Sequence, residues 1–185
     1  LSASFSGLSR QQQLQALDRL TERELGQLID RVGADDALQE VFSGYLVSLA
    51  NRSRGIASPR FAHCVRVLGW NSAIAQLSKH NRARSHMRAL FGDSGRRRRL
   101  VRELSDEALE QALSAMTTKL RADVIGTLAK KRARGMLDGL AAVLVGEDDL
   151  SGLRLLGERV GDTRMQRALD RLVDDPAALD QPKVR

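Results

Sequence analysis

The chain has 185 residues, 42% apolar and only 3% aromatic, with 30 Lys or Arg against 23 Asp or Glu for a net charge of +7. This is enough to bury a core as one domain or two small helical ones, and with no apolar run of about 18 residues a transmembrane helix is excluded. A lone cysteine, Cys64, rules out an internal disulfide and suits a cytoplasmic setting, and no signal peptide is expected because no charged segment precedes an apolar one.

Low aromatic and β-branched content predicts an all-α fold, a multi-helix bundle or an armadillo-like stack of short helical pairs, with about eight to ten helices. Ser9 with Gln12 forms a capping-box pattern ahead of Leu14, Leu17 and Leu20, so a first helix is expected over residues 10–20. Thr21 with Glu24 repeats the box before Leu25, Leu28, Ile29 and Val32, and Gly33 supplies a left-handed stop. Asp35 is placed to cap a third helix, whose Leu38, Val41, Phe42, Tyr45, Leu46 and Leu49 carry the strongest helical periodicity in the chain. Gly55 interrupts, and Ser58-Pro59 opens a helix with Phe61, Cys64, Val65 and Leu68 inward that Gly69 should end. Asn71 or Ser72 can cap the next segment, which holds Ile74, Leu77, Met87, Leu90 and Phe91. Its polar middle, residues 78–86, implies a break near His80 and Asn81 or a solvent-facing stretch.

Residues 92–95 read as a linker between an N-terminal subdomain, 1–91, and a C-terminal one, 96–173. The second subdomain should start as a helix with Leu100, Val101 and Leu104 on one side. Ser105 then caps Leu109, Leu113 and Met116, and Thr117 or Thr118 caps Leu120, Val124, Ile125 and Leu128. Beyond the basic group Lys130, Lys131, Arg132 and Arg134, and Gly135, comes the apolar segment of Met136, Leu137, Leu140, Val143 and Leu144. Asp148 or Asp149 caps Leu150, Leu153, Leu156 and Val160 ahead of Gly161. Asp162 or Thr163 should begin a last helix with Met165, Ala168, Leu169 and Leu172, stopped by Asp174-Asp175-Pro176, leaving 174–185 as a tail. Residues 20–29 align without gaps on 104–113, a cap followed by the same apolar spacing, which is either the likeness of any two capped helices or an internal repeat.

The segment 104–140, with Leu104-Ser105-Asp106-Glu107-Ala108-Leu109-Glu110-Gln111 at its start and Lys130-Lys131-Arg132-Ala133-Arg134-Gly135-Met136-Leu137 near its end, resembles the armadillo-like helices of FliG, the flagellar rotor switch protein. The resemblance implies helical stacking and a scaffold role. It carries no torque-related charges over to this chain.

Charge is concentrated in residues 51–102, which hold thirteen Lys or Arg against the single acid Asp93, a net +12. Within it Lys79, Arg82, Arg84, Arg88, Arg96, Arg97, Arg98, Arg99 and Arg102 are the candidate nucleic-acid-binding residues, because guanidinium groups take phosphates bidentately and release counterions. Lys130, Lys131, Arg132 and Arg134 form a possible second basic cluster. Residues 70–87 can be written as a helix-turn-helix, with Lys79 where a glycine usually stands and Ser85 where an apolar residue should pack. His63 beside Cys64, with His80 and His86 further on, lacks the spacing of a metal site or of a thiol and its base, so no catalytic residue, metal or cofactor is assigned. The expected function is non-catalytic binding of DNA or RNA; the alternative is a helical scaffold, FliG-like in its C-terminal half, docking an acidic protein partner.

Overall fold

The computed structural model describes residues 7–32 and 36–161, together with Phe5 and Arg167. The described residues form eleven α-helices and one 3-10 turn, with no strand among them, so the protein is all-α. No helix among them is long and apolar enough to cross a membrane. The chain divides into two compact units, Leu1–Ala89 and Leu90–Arg185.

The N-terminal unit contains α1 (Arg10–Arg19), α2 (Glu22–Val32), α3 (Asp36–Ala50), the 3-10 turn Gly55–Ala57, α4 (Pro59–Ser78) and most of α5 (Ala83–Phe91). Both expected capping boxes form: Gln12 N donates to Ser9 Oγ at 3.4 Å, and Glu24 N donates to Thr21 Oγ1 at 3.3 Å. The stops and caps expected at Gly33 and Asp35 lie outside the described residues. Helices α2 and α3 pack against α4, and α1 packs against α3. Leu17, Leu25, Phe42, Tyr45, Leu46, Phe61, Cys64, Ile74 and Leu77 fill the space between them. Leu14, Val47 and Leu68 are only half-buried, because they line a groove rimmed by the Arg10–Glu40 pair at 3.3 Å.

Helix α4 is two helical runs meeting at Gly69, where the first was expected to end. Gly69 sits at φ 73°, ψ 156°, a conformation open essentially to glycine alone, and a Cβ there would meet nothing within 4 Å. Gly69→Ala is therefore expected to cost about 1–3 kcal/mol from backbone strain alone. Gly126→Ala, inside a helix and equally open, should instead stabilise by about 0.5–1 kcal/mol. Thermal denaturation of the two variants side by side checks both signs.

The C-terminal unit contains α6 (Ser94–Glu103), α7 (Asp106–Ser114), α8 (Thr118–Thr127), α9 (Lys130–Gly135), α10 (Leu137–Gly146) and α11 (Leu150–Val160). The helix count exceeds the expected eight to ten partly because the second basic cluster folds as a short helix of its own. Only Gly92 and Asp93 separate α5 from α6; Asp93 is the N-cap, accepting from Arg96 N at 2.7 Å, and Ser94 and Gly95 already belong to the helix. Helix α11 packs on α8, α9 and α10, while α7 meets α10 and α6 meets α8. Their shared core is Leu100, Leu109, Leu113, Val124, Ile125, Leu128, Leu140, Leu153 and Leu156. Except for Arg167, which is exposed, the last expected helix and its Asp-Asp-Pro stop lie outside the described residues.

The alignment of 20–29 on 104–113 has a structural counterpart. Leu20, between α1 and α2, is extended at φ −67°, ψ 143°; Leu104, between α6 and α7, matches it at φ −77°, ψ 144°. A third such corner, which the sequence pattern did not reveal, lies at Leu128 between α8 and α9, at φ −65°, ψ 139°.

Candidate nucleic-acid interface

A helix end leaves its last carbonyls without intrahelical donors, and a helix made largely of Leu, Ala and Arg has few neutral groups to offer them. Here arginines from other helices supply the donors. At the Leu20 corner Arg60 Nη1 donates to Leu17 O at 3.1 Å and Nη2 donates to Leu20 O. At the Leu104 corner Arg132 repeats the arrangement, Nη1 on Val101 O and Nη2 on Leu104 O at 2.7 Å, with Nε on Asp106 Oδ1 at 2.9 Å. At the Leu128 corner Arg159 Nε donates to Leu128 O at 2.7 Å. Arg97 serves the end of α5 through Phe91 O at 3.0 Å, Arg121 the end of α7 through Leu113 O at 2.7 Å, and Arg134 the end of α11 through Val160 O at 2.8 Å. Each places a positive charge where the helix dipole is negative.

This removes several arginines from the set expected at a basic surface. Arg97 is turned inward, its side chain 12% exposed and paired with Asp123 at 3.5 Å. Arg96 is half-buried. In the second cluster Arg132 is committed to the α6 corner and Arg134 binds Val160 O, so only Lys130 and Lys131 face water without such a bond. Arg52 and Arg60, also within the basic stretch, hold a polar network: Arg52 grips Asp18 with bonds of 2.8 and 2.6 Å, and Tyr45 Oη donates to Asp18 Oδ1 at 2.9 Å while accepting from Arg60 at the same distance. The Arg52 fork holds the Asp18 carboxyl below the usual carboxylate range despite partial burial.

What remains exposed is ordered along helix faces. In α5 the buried positions are Ala83, His86, Met87, Leu90 and Phe91, which turns Arg84 and Arg88, one helical turn apart, outward. In α6 Leu100 and Val101 are buried, and Arg98, Arg99 and Arg102 share the opposite side. Arg102 Nε lies 3.2 Å from Arg98 O, and Arg99 lies 3.8 Å from Glu103. Lys79 and Arg82, in the turn before α5, are exposed as well, with Arg82 reaching Asn51 O at 3.5 Å. The first row belongs to the N-terminal unit and the second to the C-terminal unit.

The turn itself needs no glycine. Lys79 takes φ −82°, ψ −10°, an ordinary right-handed conformation, and Ser85 points outward instead of packing. Behind the turn His86 is buried, and because an amide oxygen only accepts, its Nε2 donates to Asn51 Oδ1 at 3.2 Å. His80 faces it with ring centroids 5.4 Å apart. Burial lowers the His86 pKa, and the neighbouring His80 and Arg82 add to the effect. The unfolded chain thus takes up this proton at higher pH than the folded one. The His86 contribution is complete above about pH 6.5 and is lost as pH falls through the lower folded value. Lowering the pH from 7.5 to 5.5 is expected to reduce the unfolding midpoint, and His86→Gln should flatten that dependence in urea titrations at the two pH values.

Cys64 is fully buried, its thiol pushed up to about 12 by burial, so it packs as a small apolar side chain. Among the described residues no three His, Cys, Asp or Glu side chains converge on a point that would hold a metal. No family model, curated protein or solved structure matches the chain.

Proposed function

We propose that this is a non-catalytic, all-helical nucleic-acid-binding protein that holds phosphates through the exposed arginines of α5 and α6. The contrast between two sets of arginines carries the reading. Six donate into carbonyls at the ends of other helices. The side chains of Lys79, Arg84, Arg88 and Arg98 engage no group among the described residues. Neither α5 nor α6 contains an acid other than Glu103, so like charges stand a helical turn apart with little to offset them. A polyanion relieves that repulsion and accepts the free donors in charge-assisted bonds.

The test replaces Arg84, Arg88, Arg98, Arg99 and Arg102 by Ser and leaves Arg97 in place, because removing Arg97 would unseat the end of α5. Affinity for random-sequence nucleic acid should fall about tenfold or more, and the log-log salt slope should fall by roughly 0.9 for each phosphate that is no longer neutralised. Circular dichroism should stay unchanged. Undiminished affinity would overturn the reading.

A second reading, a helical scaffold docking an acidic protein, is supported by the three repeated Leu corners, which suit the stacking implied by the FliG resemblance. On that reading the same variant fails to capture one specific protein in a pull-down, and nucleic-acid affinity is negligible before and after. A cytoplasmic setting accompanies both readings.

A further inference from the structure

Resting on that reading, we infer that the basic rows take B-form duplex DNA in preference to a single strand or an RNA duplex. Proteins that hold single strands draw much of their affinity from aromatic rings on which successive bases stack. All six aromatic residues of this chain are placed, and none is exposed. Phe42, Tyr45, Phe61 and Phe91 are buried in the two cores; Phe5 and Trp70 are half-buried, with Trp70 tilted against Phe61 at 6.5 Å. The imidazoles nearest the first row are occupied with each other, His86 buried and His80 half-buried. The groups left to meet a ligand are guanidinium and ammonium ions, so affinity follows phosphate density. A duplex offers one phosphate per about 1.7 Å of axis, against one per about 3.4 Å along each strand.

The N-terminal unit adds a shape argument. From Trp70 the second half of α4 runs to Ser78, residues 79–82 turn, and α5 follows, the order of a helix-turn-helix. Helix α5 presents Arg84, Ser85 and Arg88 outward, two long donors with a small residue between them. A helix with its side chains is about 10–12 Å across, which the B-form major groove, about 12 Å wide, admits. The major groove of an A-form RNA duplex is too narrow and deep for it.

The experiment is a fluorescence-anisotropy titration of the full chain against a random-sequence DNA duplex, each of its strands alone, and an RNA duplex of the same sequence, at several salt concentrations. The DNA duplex is expected to bind about tenfold tighter than either strand or the RNA duplex. Arg84→Ser with Arg88→Ser should reduce that preference more than Arg98→Ser with Arg102→Ser does. A single strand or RNA duplex bound as tightly as the DNA duplex would overturn the inference while leaving phosphate binding standing. Absence of binding to every probe at low salt would overturn the proposed function itself.

Discussion

Arg121→Met is expected to destabilise the C-terminal unit by about 3–5 kcal/mol, the cost of removing one partner from a buried ion pair. Arg121 is 2% exposed, and its guanidinium serves four acceptors: Leu113 O at 2.7 Å, Ser114 O at 3.4 Å, Asp149 Oδ2 at 3.4 Å and Glu147 at 3.4 Å. Methionine fills much of the same volume, so the loss is mainly electrostatic. Ser114 O at the end of α7 loses its arginine donor, Leu113 O keeps only backbone donors such as Met116 N at 3.1 Å, and Asp149, itself 2% exposed, is left among the described residues with its capping bond from Gly152 N at 2.9 Å. Glu147, whose side chain is 43% exposed, contributes little. The pairing gives a control. Asp149→Asn retains an N-cap oxygen for α11 but removes the stranded charge, so the double variant should be more stable than Arg121→Met alone. Urea unfolding of the two single variants and the double measures the coupling, and a purely additive double variant would show that the pair is not the source of the loss.

The local signals in the sequence were sufficient for the helices. Ser9, Thr21, Ser58, Ser105 and Asp149 all cap where the pattern put them, since a cap is decided within four residues of its own position. Gly69 was legible as a discontinuity for the same reason. The destinations of the arginines were not, because each depends on a carbonyl far away in the chain: Arg60 reaches back to Leu17 and Leu20, Arg132 to Val101 and Leu104. In a linear reading Arg96, Arg97, Arg98 and Arg99 are one run of like charge. On a helix they diverge by about 100° per residue, and Arg97 ends inside while Arg98 and Arg99 end outside. The one clue the sequence held was the gapless match of 20–29 on 104–113. Two corners of the same shape need the same donor, and the Leu128 corner stayed hidden because Ala129 replaces the Thr or Ser that marks the other two.

That equivalence makes the second large prediction specific. Arg60→Ala should destabilise the N-terminal unit by about 2–4 kcal/mol: charged-donor bonds contribute about 1.5–3 kcal/mol each, three acceptors lose one, and water replaces part of the loss because the site is only part-buried. Leu20 O loses its arginine donor at the end of α1, Leu17 O keeps only the Leu20 N–H at 3.3 Å, and Tyr45 Oη loses its donor at 2.9 Å while still donating to Asp18. Arg60→Lys should recover only part, since an ammonium cannot span two carbonyls and a hydroxyl as the planar fork does. Arg132→Ala is the matching experiment in the other unit and should cost a similar amount, since it too takes a charged donor from two corner carbonyls and one side-chain oxygen, that of Asp106. Neither variant removes a side chain of the rows on α5 and α6, so at temperatures where both remain folded the nucleic-acid affinity proposed above should equal that of the parent. A folded Arg60→Ala protein with weakened DNA binding would place Arg60 among the phosphate-binding residues and dissolve the division between structural and exposed arginines.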